Sequence, residues 1–351
     1  MARIGFFLFV FVLFLGFGLL RLNAFNHFDK IENQFAGTCA PVTGVAGPED
    51  LQIDPALRRA FVSSLDRRAV SRGEDVRGAI LSVNIDDPLD MSGWRDRTNG
   101  VPEAFEPVGL HYYIGEGVRR LFVVNAAANT IELYDVVGVG DLVHLETFAE
   151  RRLTSPNDVV AVGPRSFYAT NDLEPGRSSF LGRLHFLGQV GSGQVLYFNG
   201  TAWRVAAEGL RFANGVNVSI DGSRLYVAET AGGALKIYNR DRSNGALTLD
   251  KTAPLAIAPD NINIDAAGTL WIGGMQKPLA FLAHSRDPKN TAPSAIVRLN
   301  DQPGLSVEPE YVFSDRGEQI SAASAAASLD SKLVVGAVLE ERYLLCDRAS
   351  Q

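Results

Sequence analysis

The chain has 351 residues, of which 46% are hydrophobic and 21% are charged, and its formal net charge is -7. This composition is typical of a globular protein rather than a disordered one, and the length allows two average domains or one large domain. An acidic chain has no electrostatic footprint for nucleic acid, so we expect no nucleic-acid partner. The two cysteines, Cys39 and Cys346, are too few for a zinc cluster or a disulfide-dense miniprotein.

An apolar run from Ile4 to Leu20, flanked by Arg3 and Arg21, opens the chain. It is short for a membrane span and long for the apolar part of a signal peptide. The triplet Leu22-Asn23-Ala24 is a poor cleavage site, so we predict a hydrophobic helix in residues 1–24 that acts as a signal anchor, with a cleaved signal peptide as the alternative. Both interpretations place residues 25–351 in the secretory pathway, membrane-anchored or extracellular, where a disulfide persists.

Two N-glycosylation sequons fit an exported protein. Asn199 lies in a glycine-rich turn, where a glycan would be accessible. Asn217 lies inside an alternating strand, which favours a buried structural amide instead.

From residue 50 onward the predicted strands come in repeated units. A turn rich in Pro, Gly, Asn or Asp leads into an alternating strand, a second strand follows about ten residues later, and a third follows a gap. The units recur at intervals of about 45 to 60 residues, which is typical of the blades of a β-propeller. We predict an all-β, six-bladed propeller as a single domain over residues 25–351, with an irregular β-sandwich as the alternative. The first strands of the six units are DLQID from Asp50, GLHYYI from Gly109, DVVAVG from Asp158, NGVNVS from Asn214, DNINID from Asp260 and QISAASAAAS from Gln319.

The ring gives the two cysteines a possible role. Cys39 precedes the first unit and Cys346 lies in the last strand of the sixth. These positions are neighbours in a closed propeller, so a disulfide between them would close the ring. Two free buried thiols are the alternative.

Acidic and amide residues begin four of the six first strands. Innermost propeller strands surround the axis, so these side chains are expected to meet at one mouth of the tunnel. Carboxylate and amide oxygens without His or Cys are hard ligands, which suit Ca²⁺. The alternative is that each of them merely caps a turn. The residues are Glu49-Asp50, Asn157-Asp158, Asn214 and Asp260-Asn261.

Long ordered motifs resemble those of the paraoxonase/arylesterase family, which consists of six-bladed, calcium-dependent esterases and lactonases. The resemblance runs from about Cys39 to Cys346. The matching stretches are GPEDLQI from Gly47, PNDVVAVGPRSFYATND from Pro156, AEGLRFANGVNVSIDGSRLYVAE from Ala207, PDNINID from Pro259, LWIGG from Leu270 and the terminal LLC.

The resemblance implies two calcium ions and a disulfide between Cys39 and Cys346. The structural calcium falls on Asp50, Asp158 and the backbone carbonyl of Leu110. The ligands of the catalytic calcium fall on Glu49, Asn157, Asn214, Asp260 and Asn261.

The family's catalytic histidine pair is missing from this chain. Its two positions are occupied by Val108 and Ala126, and neither side chain can accept a proton. The family's general-base step therefore cannot be carried over. We predict that a ligand carboxylate, Glu49 or Asp260, takes the proton from an attacking water.

The remaining histidines offer no clear replacement. His111 lies three residues beyond the first lost histidine and points to the opposite face of the strand, so packing is expected. His185 belongs to a segment with helical spacing that is expected to cover the mouth, as a channel wall, a lid or a membrane contact. His27, His144 and His284 are expected to be solvated.

These observations predict a calcium-dependent hydrolase of carboxylic esters or lactones. Apolar walls from Phe212, Phe281 and Leu279 would suit a small hydrophobic substrate. The alternative is a non-catalytic propeller that keeps calcium for stability and binds a ligand at its mouth. A sugar-lactonase-like relative with a different metal is a third hypothesis.

Overall fold

The computed structural model describes residues 16, 18–20, 22–23, 25–87, 90, 96–100, 103–177, 179–301 and 307–349. The predicted N-terminal hydrophobic helix lies largely outside these residues. Within the described part of the chain, no helix is both long enough and apolar enough to cross a bilayer.

Short strands separated by tight turns make up almost all of the regular structure. In the described part of the chain, three α-helices lie between these strands: α1 (Arg67–Ser71), α2 (Phe180–Gly188) and α3 (Pro278–Arg286). In chain order the strands are β1 (Gln34–Phe35), β2 (Gly37–Thr43), β3 (Leu51–Asp54), β4 (Arg59–Ser64), β5 (Ala79–Asn84), β6 (Thr98–Asn99), β7 (Pro107–Gly115), β8 (Val118–Asn125), β9 (Thr130–Val137), β10 (Asp141–Ala149), β11 (Pro156–Ala161), β12 (Phe167–Asn171), β13 (Gly193–Phe198), β14 (Trp203–Leu210), β15 (Ala213–Val218), β16 (Arg224–Glu229), β17 (Ala234–Arg240), β18 (Leu247–Pro254), β19 (Ala258–Ile264), β20 (Leu270–Met275), β21 (Ser294–Leu299), β22 (Glu310–Asp315), β23 (Ala323–Leu329), β24 (Lys332–Ala337) and β25 (Arg342–Arg348).

The strands form six sheets, one for each predicted blade. Each blade runs outward from an innermost strand, and the innermost strands β3, β7, β11, β15, β19 and β23 contact one another in that order and close into a ring. The prediction of an all-β, six-bladed propeller is therefore confirmed. The sheets are β3-β4-β5, β7-β8-β9-β10 with β6 at the edge, β11-β12-β13-β14, β15-β16-β17-β18, β19-β20-β21-β22 with β1 at the edge, and β23-β24-β25-β2.

The last blade takes its outermost strand from the N-terminal part of the chain. Strand β2 pairs antiparallel with β25, and this register puts Cys39 directly opposite Cys346. The two residues form a disulfide across 307 positions of sequence. The predicted closure of the ring is thus confirmed.

The hydrophobic core is divided among the blade interfaces. Six clusters of buried side chains each join two neighbouring blades, and together they go once around the ring. Between the second and third blades, for example, Phe122 packs against Phe167 with ring centroids 5.5 Å apart, and Phe148 contacts the same ring at 5.1 Å. Because every blade buries both faces, the inner strands are buried even where their residues are polar.

Five of the six innermost strands share a break in register near their first residues. A β-bulge of this kind leaves extra residues on one strand and redirects their side chains. At the third blade, for example, Asn157 and Asp158 lie within the break. The breaks fall between Pro107 and Leu110, Pro156 and Val159, Ala213 and Val216, Pro259 and Ile262, and Ala323 and Ala325.

Candidate metal centre

The five residues predicted to hold the catalytic calcium all lie at the starts of innermost strands. Glu49 precedes β3, Asn157 and Asn214 lie in the bulges of β11 and β15, and Asp260 and Asn261 lie in the bulge of β19. Each residue is at most 5% exposed. For the four residues other than Glu49, the bulge is the shared feature that redirects their side chains at the strand starts.

Four oxygens of these residues are buried and accept no hydrogen bond from the described part of the chain: Glu49 Oε2, Asn157 Oδ1, Asn214 Oδ1 and Asn261 Oδ1. A buried acceptor without a donor costs about 1–3 kcal/mol, so four at one place call for a shared partner. A cation bound by all four would satisfy them together.

The amide nitrogens, in contrast, are all engaged. Asn157 Nδ2 donates to Asp172 Oδ2 at 3.3 Å, and Asn214 Nδ2 donates to Thr230 Oγ1 at 3.0 Å. Asn261 Nδ2 donates to Glu49 Oε1 at 3.2 Å. These bonds fix the orientation of each amide, so that the oxygen is the atom left free for a ligand.

The two carboxylates of the set are electrostatically unfavourable without a positive partner. Burial raises the pKa of Glu49 above its usual range, although the nearby Arg67 opposes this shift. The pKa of Asp260 is also raised, first by burial and then by repulsion from Glu49. Two carboxylates with three amide oxygens form a hard donor set of the kind that Ca²⁺ takes.

This donor set contains only two charged ligands and no soft ones. Among the described residues, no three His, Cys, Asp or Glu side chains come close enough together to hold a metal. Any cation here would depend on the three asparagines as much as on Glu49 and Asp260.

Asp50 and Asp158, which the resemblance assigns to a structural calcium, join neighbouring blades. Asp50 Oδ2 accepts from the backbone N–H of Leu110, and Asp158 Oδ2 accepts from that of Val216, at 2.8 and 2.7 Å. Burial raises the pKa of both carboxyls, and repulsion from Asp158 raises the pKa of Asp50 further. Two buried carboxyls that repel each other need a proton or a cation to offset their charge.

Two glycines allow this close approach of the inner strands. A Cβ at Gly109 would clash with the carboxylate of Asp158, and one at Gly215 would clash with the backbone of Asp260 and Asn261. Both glycines immediately precede the residues whose N–H groups bind the aspartates. The close packing of neighbouring inner strands therefore requires glycine at these two positions.

Apolar side chains occupy positions 108 and 126, where the resemblance to the family leads us to expect a histidine pair. Val108 is 8% exposed and belongs to the cluster between the second and third blades, and Ala126 packs against the same cluster. His111 does not compensate for the loss. Its Nδ1 accepts from the backbone N–H of Ala161 at 3.3 Å, and burial lowers its pKa to about 4. The ring is therefore neutral at physiological pH and has a packing role, as expected.

For two other histidines the expectation of solvent exposure is wrong. His284 is 2% exposed within α3, and its Nδ1 lies 2.7 Å from the carbonyl oxygen of Asn290. His144 lies 2.9 Å from the buried carboxylate of Glu132. The segment containing His185 does form a helix, α2, as its spacing predicts.

Three charged residues adjoin the centre that sequence reasoning did not single out. Arg67 Nη2 lies 3.9 Å from Glu49 Oε2. Asp172 is fully buried and accepts from Asn157 Nδ2, from Ser155 Oγ at 2.6 Å and from Arg177 Nε at 2.6 Å. A signal for Asp172 existed, because it ends the motif PNDVVAVGPRSFYATND. The sequence offers no such signal for the two arginines, because Arg67 lies in the short helix α1 and Arg177 lies in a loop after β12.

The chain is a six-bladed propeller with buried, unsatisfied oxygens at the starts of its innermost strands. The family model described as Arylesterase matches residues 77–348. Serum paraoxonase/arylesterase 1 from Homo sapiens is 30% identical over 342 residues, covering 93% of this chain and 92% of that protein. Serum paraoxonase/arylesterase 2 from Homo sapiens is 30% identical over 344 residues, covering 95% of each. The chain therefore belongs to the arylesterase family.

Solved structures support the fold at greater distance. A putative gluconolactonase has a TM-score of 0.57 at 13% identity and covers 90% of this chain and 94% of its own. Regucalcin from Agrobacterium tumefaciens, described as a calcium-binding protein, has a TM-score of 0.55 at 14% identity, with 91% and 98% covered. At these identities the similarity extends to the propeller and no further.

Proposed function

We propose that this protein is a calcium-dependent hydrolase of carboxylic esters or lactones. The observation that carries the proposal is the set of four buried oxygens without donors at the starts of the innermost strands. Family membership supports the hydrolytic class, because the similar human proteins are named as arylesterases. The donor set supports calcium as the metal.

The residues that would hold the catalytic calcium are Glu49, Asn157, Asn214, Asp260 and Asn261. When bound, the ion supplies a Lewis acid that polarises the scissile carbonyl and stabilises the developing oxyanion. The side chains of Asp172 and Thr230 hold the amides of Asn157 and Asn214 in the orientation that this requires.

A ligand carboxylate has to receive the proton of the attacking water, because Val108 and Ala126 cannot. Of the two candidates, we assign this step to Asp260 in preference to Glu49. The charge of Glu49 raises the pKa of Asp260, whereas Arg67 is the main charge that lowers the pKa of Glu49. This contrast between a carboxylate neighbour and an arginine neighbour is the reason for assigning the proton to Asp260.

A second calcium would be held by Asp50, Asp158 and the carbonyl of Leu110. The mutual repulsion of the two buried carboxyls supports a cation between them. Since each carboxylate already accepts backbone N–H bonds that join two blades, the role of this ion would be structural.

The surroundings of the mouth suit a small hydrophobic ester or lactone in a membrane-associated or extracellular setting. The ring of Phe212 lies 5.6 Å from Cζ of Arg177, and Leu279, 49% exposed, lies on α3 with the partly buried Phe281. Helix α2 presents further apolar surface, with Phe180 79% exposed. The disulfide fits the secretory pathway, and membrane contact is proposed through the apolar N-terminal segment.

The two sequons differ in the structure as their sequence contexts predict. Asn217 is 5% exposed and donates to the carbonyl of Ile262 at 2.7 Å, so it is a structural amide. Asn199 is exposed in a turn. We propose Asn199 as the glycan site in a glycosylating host.

The test is turnover by the purified protein of phenyl acetate and a panel of lactones, with and without EGTA. The proposal predicts hydrolysis that EGTA abolishes and that added calcium restores. Asp260→Ala is the matched variant and should reduce activity to background. No turnover above the Asp260→Ala background on any substrate would refute the enzymatic function.

The loss of both histidines favours a second candidate, a propeller that keeps calcium for stability and binds a ligand without hydrolysing it. Val108 and Ala126 pack into the core while the metal ligands are retained, as a non-catalytic descendant would do. Thermal stabilisation by calcium without turnover would support this candidate.

A further inference from the structure

Two guanidinium groups adjoin the metal centre, which has lost the histidine pair of its family. Arg67, in α1, is largely buried, with its side chain 16% exposed. It donates to the carbonyls of Gly47 and Pro107 at 2.8 Å each, and these bonds hold it 3.9 Å from Glu49. Its position is therefore fixed by the backbone of two blades rather than by the carboxylate alone.

Arg177 adjoins the centre from another side and is more accessible, with its side chain 47% exposed. Its Nε donates to Asp172, and its Cζ lies 5.6 Å from the ring centroid of Phe212. Among the described residues, Asp172 alone accepts hydrogen bonds from Arg177, and it binds Nε and Nη2. The remaining edge of the guanidinium, including Nη1, is left for a ligand.

The charges around the centre leave a positive surplus once a divalent cation is bound. Glu49 and Asp260 then balance the cation, and Asp172 balances Arg177. Glu106 is then the remaining acidic neighbour of Arg67. Among the groups that shift the pKa of Arg67, Glu106 has the smallest effect. The charge of Arg177 also lowers the pKa of Arg67, as expected of two like charges near each other. Two like charges at a partly desolvated site favour a bound anion.

We propose that Arg67 and Arg177 form an anion-binding element that selects esters or lactones bearing a carboxylate. The inference rests on the proposed hydrolase function and narrows its substrate class, from a small hydrophobic ester or lactone to one that also carries a carboxylate. A guanidinium presents a planar fork of donors that matches a carboxylate with two parallel hydrogen bonds. Arg177, with its free edge at the mouth, receives the carboxylate, and Arg67 supplies the second positive charge beside the metal.

The first test is binding of succinate, a carboxylate probe with no scissile bond, to the calcium-loaded protein by titration calorimetry. We expect saturable binding that Arg177→Met weakens about 10- to 100-fold, the usual loss for a charge-assisted bond. Arg177→Lys keeps a positive partner for Asp172 but lacks the fork, so it should fold and still bind several-fold more weakly. Arg183→Met, on the exposed side of α2, is the matched control and should bind as the wild type does.

The second test compares phenyl hydrogen succinate with phenyl butanoate, after subtraction of the rate without protein. The wild type should prefer the anionic ester in kcat/KM, and Arg177→Met should lower the ratio about 10- to 100-fold. An unchanged ratio, or a wild type without preference, would overturn the inference while calcium-dependent turnover of phenyl butanoate still upheld the hydrolase. Succinate binding without turnover of either ester would uphold the anion-binding element and refute the hydrolase.

Discussion

The substitution Asn157→Leu tests whether Asn157 is a metal ligand or a turn cap, because the two roles predict opposite effects on stability without calcium. The substitution removes the buried Oδ1 that has no donor and keeps a similar volume. It also removes a weak 3.3 Å bond to Asp172, which retains Ser155 and Arg177 as donors. Relief of the unsatisfied oxygen gains about 1–3 kcal/mol and loss of the bond costs about 1 kcal/mol. In EGTA the variant should therefore be as stable as the wild type, or more stable.

Calcium should stabilise the wild type more than the variant. At a calcium concentration of 100 times Kd, the wild type gains about 2.7 kcal/mol. For a domain of this size, 1 kcal/mol corresponds to about 1.5 °C in Tm, so calcium should raise the Tm of the wild type by about 4 °C. A tenfold loss of affinity in Asn157→Leu would reduce this increment to about 2 °C. Differential scanning fluorimetry in EGTA and in calcium measures both increments.

Asn171 provides the matched control from the neighbouring strand. Its Oδ1 accepts from Ser155 N at 2.7 Å and its Nδ2 donates to Thr154 Oγ1 at 3.0 Å, so both ends of this buried amide are satisfied. Asn171→Leu should lower Tm by about 3–6 °C in both media and keep the calcium increment. If Asn157→Leu behaved like Asn171→Leu, the metal-ligand assignment would be refuted.

Three further predictions address charge, covalent closure and the remaining histidine of the inner strands. Because the folded pKa values of Glu49 and Asp260 are raised without metal, the stability they contribute is present below the ordinary carboxyl pKa and is lost as pH rises through the raised values. Apo protein should thus gain Tm from pH 8 to pH 5 relative to the calcium form, while calcium affinity falls; an affinity independent of pH would contradict this. Replacing Cys39 and Cys346 by serine should cost about 2–5 kcal/mol, below the limit of about 6 kcal/mol for so long a loop because the β2–β25 pairing remains, and dithiothreitol should remove the difference in Tm from the wild type. His111→Gln should leave the pH–rate profile between pH 5 and pH 8 unchanged, because the ring is already neutral there; a shifted profile would give His111 a role in catalysis.

The blades and their closure could be predicted from the sequence because each depends on local periodicity. Turn residues followed by alternating strands recur six times, and a ring then makes Cys39 and Cys346 neighbours. The outermost strands could not be predicted, since β10, β14 and β18 alternate weakly and are half-buried or exposed along most of their length. The N-terminal origin of the last blade's outer strand also depends on tertiary pairing.

The candidate ligands could be predicted as residue types but not as a geometry. The β-bulges that turn Asn157 and Asp260 toward the tunnel leave no local signature beyond the doublets themselves. Arg67 and Arg177 were missed because they come from a short helix and a loop with no periodicity. The burial of His284 depends on the packing of Arg68 against α3, which no single segment encodes.

Five oxygens at the starts of the innermost strands are expected to hold a calcium ion. Crystals grown with calcium and measured at a long wavelength would show its anomalous scattering. We predict a peak about 2.3–2.6 Å from oxygens of Glu49, Asn157, Asn214, Asp260 and Asn261. A water molecule at that point, or a peak bound by other residues while these amides hydrogen-bond one another, would contradict the account.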